Sequence, residues 1–306
     1  MRVLVTGAAG QVGADVARAL EGRAEVVALD RAALDLARPD AIVRCVREAK
    51  PRLIVNAAAY TAVDRAESEA QLARAVNARA PAILAEEAER SGALLVHYST
   101  DYVFDGTKAG PYVESDPTAP LNVYGETKLE GERAVAASGC AHVIVRTSWV
   151  YAPRGRNFLL TMLRLAETRD ELRVVDDQRG APTASAELAR ATLALFVPPA
   201  DATPLGEADL QRVGASSGLY HASAAGETTW CGFARAIFEQ WSARAGGGFR
   251  MPRVVPIRTS EYPTPARRPA NSVLSSELLA RTFGVRLAHW QDGLARVLSV
   301  LGRRDG

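Results

Sequence analysis

The chain opens on a short apolar run, RVLVT at 2–6, which breaks at glycines and gives way over residues 11–20 to a helical stripe of Val12, Val16, Ala19 and Leu20. That order reads as strand, turn, helix. The alternation recurs with EVVALD at 25–30 before a helix starting near Pro39-Asp40, RLIVNAAA at 52–59 before helices across 66–90, ALLVHYST at 93–100, a helix near 123–137, and HVIVRTS at 142–148. These strands are nearly continuous in apolar residues, as strands covered on both faces must be. The pattern predicts an α/β fold around a parallel sheet.

After residue 150 the rhythm loosens, and helical stretches at 157–168, 184–196, 229–242 and 287–301 stand between Pro- and Gly-rich connections. This divides the chain into a Rossmann-type, doubly wound dinucleotide-binding domain over 1–150 and a smaller C-terminal α/β region over 151–306, whose elements are free to return to the first domain. Residues 198–218 (PPADATPLGEADLQRVGASSG) are polar and turn-rich and read as a surface insertion or linker.

The turn after the first strand is Gly7-Ala8-Ala9-Gly10-Gln11-Val12-Gly13. Glycines there allow a tight turn and let backbone N–H groups and the helix N-terminus approach a pyrophosphate. The pattern is weak alone, but Asp30 ends the second strand 20 residues after Gly10, where a carboxylate can accept hydrogen bonds from an adenosine ribose diol. Arg31 follows directly and can pair with a 2′-phosphate, so Asp30 favours NADH while Arg31 leaves NADPH open.

Lysine occurs only at 50, 108 and 128 in a chain whose other basic residues are all arginine, so a lysine that chemistry requires stands out. Lys128 closes Tyr124-Gly125-Glu126-Thr127-Lys128, and the i, i+4 spacing on a helix puts phenol and ammonium on one face. A phenol is a poor acid or base at neutral pH until a neighbouring cation stabilises phenolate, and Lys128 is expected to supply that charge. Ser99-Thr100-Asp101-Tyr102 closes the strand that begins at Ala93, which places Thr100 to hydrogen-bond a substrate oxygen beside Tyr124.

Composition removes other classes. A net charge of +2, from 37 basic and 35 acidic residues, argues against a nucleic-acid-binding protein. No 18 apolar residues run together, the N-terminal apolar run is too short for a signal peptide, and cysteines at 45, 140 and 231 form no CxxC. These features lead us to expect a soluble, cytoplasmic chain. Gly214-Ala215-Ser216-Ser217-Gly218 matches the hydrolase GxSxG but lacks the preceding strand and following helix. The histidines at 97, 142, 221 and 289 show no metal spacing and read as structural residues, and the Pro- and Arg-containing stretch 262–269, like the Arg pair at 303–304, reads as solvated surface.

A GxxGxxG turn, a Ser/Thr at a strand end and YxxxK together resemble the extended short-chain dehydrogenase/reductase superfamily. The similarity is closer to the dTDP-4-dehydrorhamnose reductases and spans nearly the whole chain: NAAAYTAVDRAE at 56–67, STDYVFDG at 99–106, PLNVYGETKLEGE at 120–132, RTSWVY at 146–151, DQRGAPT at 177–183 and RRPANSVLSS at 267–276. The resemblance implies that Tyr124 is the proton donor, that Lys128 binds the nicotinamide ribose, and that Thr100 tunes the tyrosine and holds the keto oxygen. It implies a cofactor, NADPH or NADH, lined by Gly10, Gln11, Val12, Asp30, Ala57, Ala58 and Ala59, and a dTDP-sugar touched by Asp101, Tyr102 and Trp149. Trp149 is expected at the carboxyl edge of the sheet as a wall against the deoxysugar, with a packing role between the two regions as the alternative.

The same resemblance leaves open a homodimer and a magnesium ion, since some relatives pair around magnesium through clustered glutamates and Asp15 and Glu187 match two such positions. It also offers two competing roles. A nucleotide-sugar 4,6-dehydratase carries Glu where this chain has Tyr102, and a phenol is a poor substitute for a carboxyl acid/base. The regulatory subunit of methionine adenosyltransferase keeps the fold as a partner protein, but this chain retains every reductase block. The expected activity is reduction of the C4 ketone of dTDP-4-dehydro-L-rhamnose.

Overall fold

The computed structural model describes residues 1–197, 203–244 and 249–302. In chain order its first half contains β1 (Arg2–Thr6), α1 (Gln11–Ala19), β2 (Glu25–Leu29), α2 (Pro39–Ala49), β3 (Leu53–Asn56), the short α3 (Val63–Ala66) and α4 (Ala70–Arg74), α5 (Ala80–Ser91), β4 (Leu94–Thr100), α6 (Val123–Ala137) and β5 (His142–Thr147). These segments follow the expected alternation closely. The turns at their ends use local chemistry: Pro39 starts α2, Gly92 ends α5 in the left-handed region, and Asn122 caps α6 by accepting from the Gly125 N–H at 2.8 Å.

The second half contributes β6 (Val150–Tyr151), α7 (Phe158–Ala166), β7 (Glu171–Val175), β8 (Arg179–Gly180), β9 (Thr183–Ala184), α8 (Ser185–Ala194), α9 (Glu207–Gly214), β10 (Gly218–His221), β11 (Thr228–Thr229), α10 (Trp230–Ser242), β12 (Arg253–Ile257), α11 (Glu277–Phe283) and α12 (Trp290–Leu301). One six-stranded parallel sheet runs β10-β5-β4-β3-β1-β2. Period-two geometry sends alternate side chains to opposite faces. Val3, Val5, Val55 and Val96 meet Val16 of α1 and Leu188 of α8 on one side, while Leu4, Ile54 and Leu95 meet Ile42 of α2 and Leu84 of α5 on the other. Burying both faces is why the strands read as unbroken apolar runs.

One assignment along the chain differs from expectation. The polar stretch 198–218 is not a bare linker: residues 198–202 lie outside the described residues, but α9 follows and inserts Leu210 and Val213 into the sheet core, together with Leu205. Its charged residues face outward at helical spacing, which made the segment look like a loop. The Gly214–Gly218 motif then joins the end of α9 to β10, the reverse of the strand-serine-helix order a hydrolase needs.

A separate core lies in the second region. Leu159 and Met162 of α7, Leu172 and Val174 of β7, Phe233, Ile237 and Phe238 of α10, and Trp290, Leu294 and Leu298 of α12 pack around Tyr151. Among the described residues, no helix is long and apolar enough to cross a membrane.

Candidate active site

The path of the chain divides at β1, which has β2 on one side and β3 on the other, and a sheet of this kind holds ligands at the carboxyl ends of its strands beside that division. The glycine turn lies there. Gly7 has φ +67°, and a Cβ on it would come within 2.8 Å of the Ala58 backbone, so no larger residue fits against the loop after β3. Gly13 rests on the Gly7 carbonyl, where a Cβ would stand 2.2 Å away. Beyond Gly10, α1 starts without a side-chain cap, and its first N–H groups have no partner within the helix.

The neighbours of this turn are fixed by packing. Val12 and Ala57 pack on the sheet core, Ala58 packs on the opposite core, and Ala59 is half-buried beside them. Gln11 accepts from Asn157 Nδ2 at 2.8 Å through its side chain and from Arg154 at 2.9 Å through its carbonyl. Asp30 is exposed at the end of β2 and accepts from the Ala33 N–H at 2.9 Å. Arg31 is exposed too, and its charge acts on Tyr60 and Glu69, which share a 2.6 Å hydrogen bond.

Across the sheet edge, Thr100 ends β4. Its hydroxyl accepts from the Tyr102 N–H at 3.2 Å, donates to Asp101 Oδ1 at 3.0 Å and reaches the Tyr124 phenol. Tyr124 sits in the first turn of α6, and Gly125 permits that turn to touch the chain after β4, since a Cβ there would lie 2.2 Å from the Tyr102 carbonyl. The Tyr102 and Tyr124 rings meet edge to face at 5.4 Å. Burial pushes the Tyr124 phenol up to about 12, with the Thr100 hydrogen bond opposing the rise. Burial likewise pushes Asp101 up to about 6, against hydrogen bonds from Ser272 and Thr100.

Lys128 is buried. Its ammonium donates to the Tyr98 carbonyl at 2.6 Å and stands 3.5 Å from His97 Nε2. Burial brings it down to about 8, and Glu132, one turn along α6, pulls the other way. Glu132 is itself held by buried Arg146 through hydrogen bonds of 2.8 and 2.6 Å. The long Lys128 side chain reaches into the sheet, and the hydrogen bond from Thr100 opposes the rise of Tyr124.

Three buried side-chain atoms at this edge have no hydrogen-bond partner: Ser99 Oγ, Asp101 Oδ2 and Thr147 Oγ1. Buried polar atoms left unpaired cost roughly 1–3 kcal/mol each, so this end of β4 and β5 suits a polar ligand. Together with the cradle at Gly7 and Ala58, these residues fit a dinucleotide and a sugar held side by side.

Sequence reasoning singled out Trp149 but missed its partners Trp230 and Gly180, as well as Arg268 and His97. Trp149 stands at the sheet edge with φ +49°, and its indole lies flat on Trp230 at 3.6 Å between ring centres and covers Gly180, where a Cβ would meet it at 2.4 Å. The stack gives Trp149 a packing role between the two regions. Arg268 was expected to be solvated surface, but it pairs with Asp64 at 2.8 Å and hydrogen-bonds Tyr102, because the C-terminal segment folds back over α3. The Arg pair at 303–304 lies outside the described residues. His97 belongs to the surroundings of Lys128, although its spacing from other histidines carried no sign of this.

Asp15 and Glu187 share one hollow between α1, α8 and α12, remote from Tyr124 in the sequence and on other elements. Arg18 and Arg154 bind Asp15 at 3.0 and 2.6 Å, and Arg190 at 2.8 Å together with Arg296 bind Glu187. Guanidinium groups thus neutralise both carboxylates, and among the described residues no cluster of three His, Cys, Asp or Glu side chains could hold a metal. The magnesium ion that the resemblance left open finds no support here.

The RmlD substrate binding domain family matches residues 1–302. The dTDP-4-dehydrorhamnose reductase of Burkholderia thailandensis is 52% identical over 293 residues, which is 95% of this chain and 96% of the relative. That of Escherichia coli K12 is 44% identical over 98% of each chain. Among solved structures, the dTDP-4-dehydrorhamnose reductase of Bacillus anthracis in complex with NADP superposes with a TM-score of 0.87 at 34% identity, covering 98% of this chain and 99% of that one. With the glycine cradle, the strand-end threonine and the buried Tyr-Lys helix in the same molecule, the chain belongs to the dTDP-4-dehydrorhamnose reductase family.

Proposed function

We propose that the protein reduces the C4 ketone of dTDP-4-dehydro-L-rhamnose to dTDP-L-rhamnose with NADPH or NADH. The observation that carries this reading is Thr100 at the end of β4 reaching the Tyr124 phenol, with buried Lys128 one turn further along α6, in a chain of this family. The nicotinamide, when bound, supplies the hydride. Gly7, Gly10, Gln11, Val12 and Gly13 hold the pyrophosphate, Ala57, Ala58 and Ala59 line the next stretch, and Asp30 and Arg31 address the adenosine ribose.

The chain's own groups handle the oxygen. Thr100 fixes the keto oxygen by a hydrogen bond, and Tyr124 gives it a proton as negative charge develops there. A phenol pushed up to about 12 stays protonated across the working range, the form an acid must have. Lys128, charged below about 8, holds the ribose and offsets the charge left on Tyr124. Asp101, Tyr102 and Trp149 border the sugar, with Arg268 fixing the Tyr102 hydroxyl.

Purified protein mixed with dTDP-4-dehydro-L-rhamnose and each reduced nicotinamide should consume the cofactor, followed by absorbance, and yield dTDP-L-rhamnose. No consumption with either cofactor would overturn the reading. A ratio of efficiencies between NADPH and NADH settles which one is preferred.

A further inference from the structure

β1, β3 and β4 end their apolar runs alike: Val-Leu-Val-Thr6, Leu-Ile-Val-Asn56 and Leu-Leu-Val-His97. The parallel register sets Thr6 opposite Asn56 and Asn56 opposite His97, so the three polar residues form one row across the sheet. All three are at most 1% exposed, on the face that packs against α2 and α5. Thr6 Oγ1 lies 2.6 Å from the Asn56 amide, the amide lies 3.0 Å from His97 Nδ1, and His97 Nε2 lies 3.5 Å from Lys128 Nζ. The row therefore ends on the Lys128 ammonium, one helical turn along α6 from the proposed proton donor.

Hydrogen bonds in such a row can run in two directions. With Thr6 donating to Asn56 Oδ1 and Asn56 Nδ2 donating to His97 Nδ1, the histidine proton sits on Nε2 and faces Lys128, which suits a neutral amine. Turning the amide reverses every bond. Asn56 Nδ2 then donates to Thr6, Asn56 Oδ1 accepts from Nδ1–H, and Nε2 is free to accept from an ammonium.

We infer that His97 is a positioning residue for Lys128: the neutral ring carries its proton on Nδ1, accepts from the ammonium at Nε2, and is kept in that tautomer by Asn56 and Thr6. The ring stays neutral because burial and the facing Lys128 charge hold its basicity well below the usual histidine range. The other charged group acting on Lys128 is Glu132 of its own helix, held by Arg146 of β5, while Tyr124 lies one turn earlier on α6 and is acted on by Asp101 at the sheet edge. His97 is thus the neutral acceptor that, with the Tyr98 carbonyl, directs the ammonium without cancelling its charge.

The activity part of this inference rests on the reductase reading, whereas the tautomer does not. Nitrogen chemical shifts of isotope-labelled histidine in the wild-type protein at neutral pH should show His97 with Nδ1 protonated and Nε2 bare. A proton on Nε2 would overturn the inference whether or not the protein reduces the sugar. In the assay, His97→Leu removes an acceptor from the charged lysine and should move the alkaline limb of kcat/KM down by about one pH unit. Asn56→Asp, by aiming an acceptor-only carboxylate at Nδ1–H, should move it up, and His97→Gln, whose amide oxygen can still accept, should recover part of the loss. An alkaline limb unmoved in folded His97→Leu would reduce His97 to a packing residue; should that variant fail to fold, the Asn56→Asp shift and the wild-type tautomer decide.

Discussion

In the six-stranded sheet, the residues that gather at the site are strand ends or the turns just beyond them: Gly7 after β1, Asp30 after β2, Ala57 after β3, Thr100 ending β4. In the second region the site is bordered by rings from separate elements, with Trp149 after β5 stacked on Trp230 at the start of α10 and Phe233 behind them against Phe158, Tyr151 and Trp290. The first arrangement is positioned by strand register and glycine turns and tolerates polar groups in a row. The second is positioned by side chains packed from separate elements, with aromatic rings at its centre. Chemistry and stability should therefore separate between the halves.

The largest effect expected is on the aromatic side. Phe233 is fully buried at the centre of that cluster, so Phe233→Ala should lose about 3–5 kcal/mol in urea unfolding, with near-normal turnover per folded molecule. A loss below about 1 kcal/mol would show that the rings are not what holds the region. On the sheet side the reverse is expected: Tyr124→Phe keeps the ring against Tyr102 and removes only the hydroxyl, so turnover should fall by at least about 100-fold while cofactor binding and unfolding midpoint stay near wild type. Activity within a few-fold of wild type would remove Tyr124 as the acid.

Gly180→Ala probes the seam between the halves. The added methyl meets the Trp149 indole, so we expect a loss of about 1–3 kcal/mol together with a raised KM for the sugar. Stability loss with an unchanged KM would make Trp149 a packing residue only.

Lys128 supplies a subtler contrast, read from pH. Its native value of about 8 lies below the ordinary lysine range, so between those values the unfolded chain binds more protons than the native one and the penalty that buried Lys128 places on folding shrinks as pH rises. Lys128→Met, compared with wild type by denaturant unfolding, should thus be relatively most stable below pH 8, its advantage shrinking as pH climbs towards the ordinary lysine range. An advantage that does not change with pH would mean the ammonium is not desolvated in the fold. The smallest effect concerns cofactor choice: Asp30→Ala should raise the NADPH to NADH efficiency ratio and Arg31→Ala should lower it, each by several-fold. Neither ratio moving more than about twofold would separate the end of β2 from the adenosine ribose.

Much of this was legible in order along the chain. Parallel strands covered on both faces leave continuous apolar runs, glycine turns leave fixed spacings, and a helix puts Tyr124 and Lys128 on one face, because each of these depends on residues within a few positions of one another. The segment 205–214 was misread because a helix lying on a sheet edge carries only a few apolar residues, here Leu205, Leu210 and Val213, among many polar ones. Likewise Arg268 reads as surface until its segment is laid over Asp64 and Tyr102, two contacts more than a hundred residues away in the chain.

The sequence by itself determined the α/β class, the parallel strands, the glycine turn and the Thr-Tyr-Lys set, since local spacing and burial period encode them. Tertiary structure alone decided where Lys128 points, that Thr6, Asn56 and His97 align beneath it, that β10 returns to the first sheet, and that arginines occupy the space around Asp15 and Glu187. Those outcomes depend on which strands become neighbours and in what register, and the hydrogen bonds and ion pairs that follow join residues with no fixed separation in the chain.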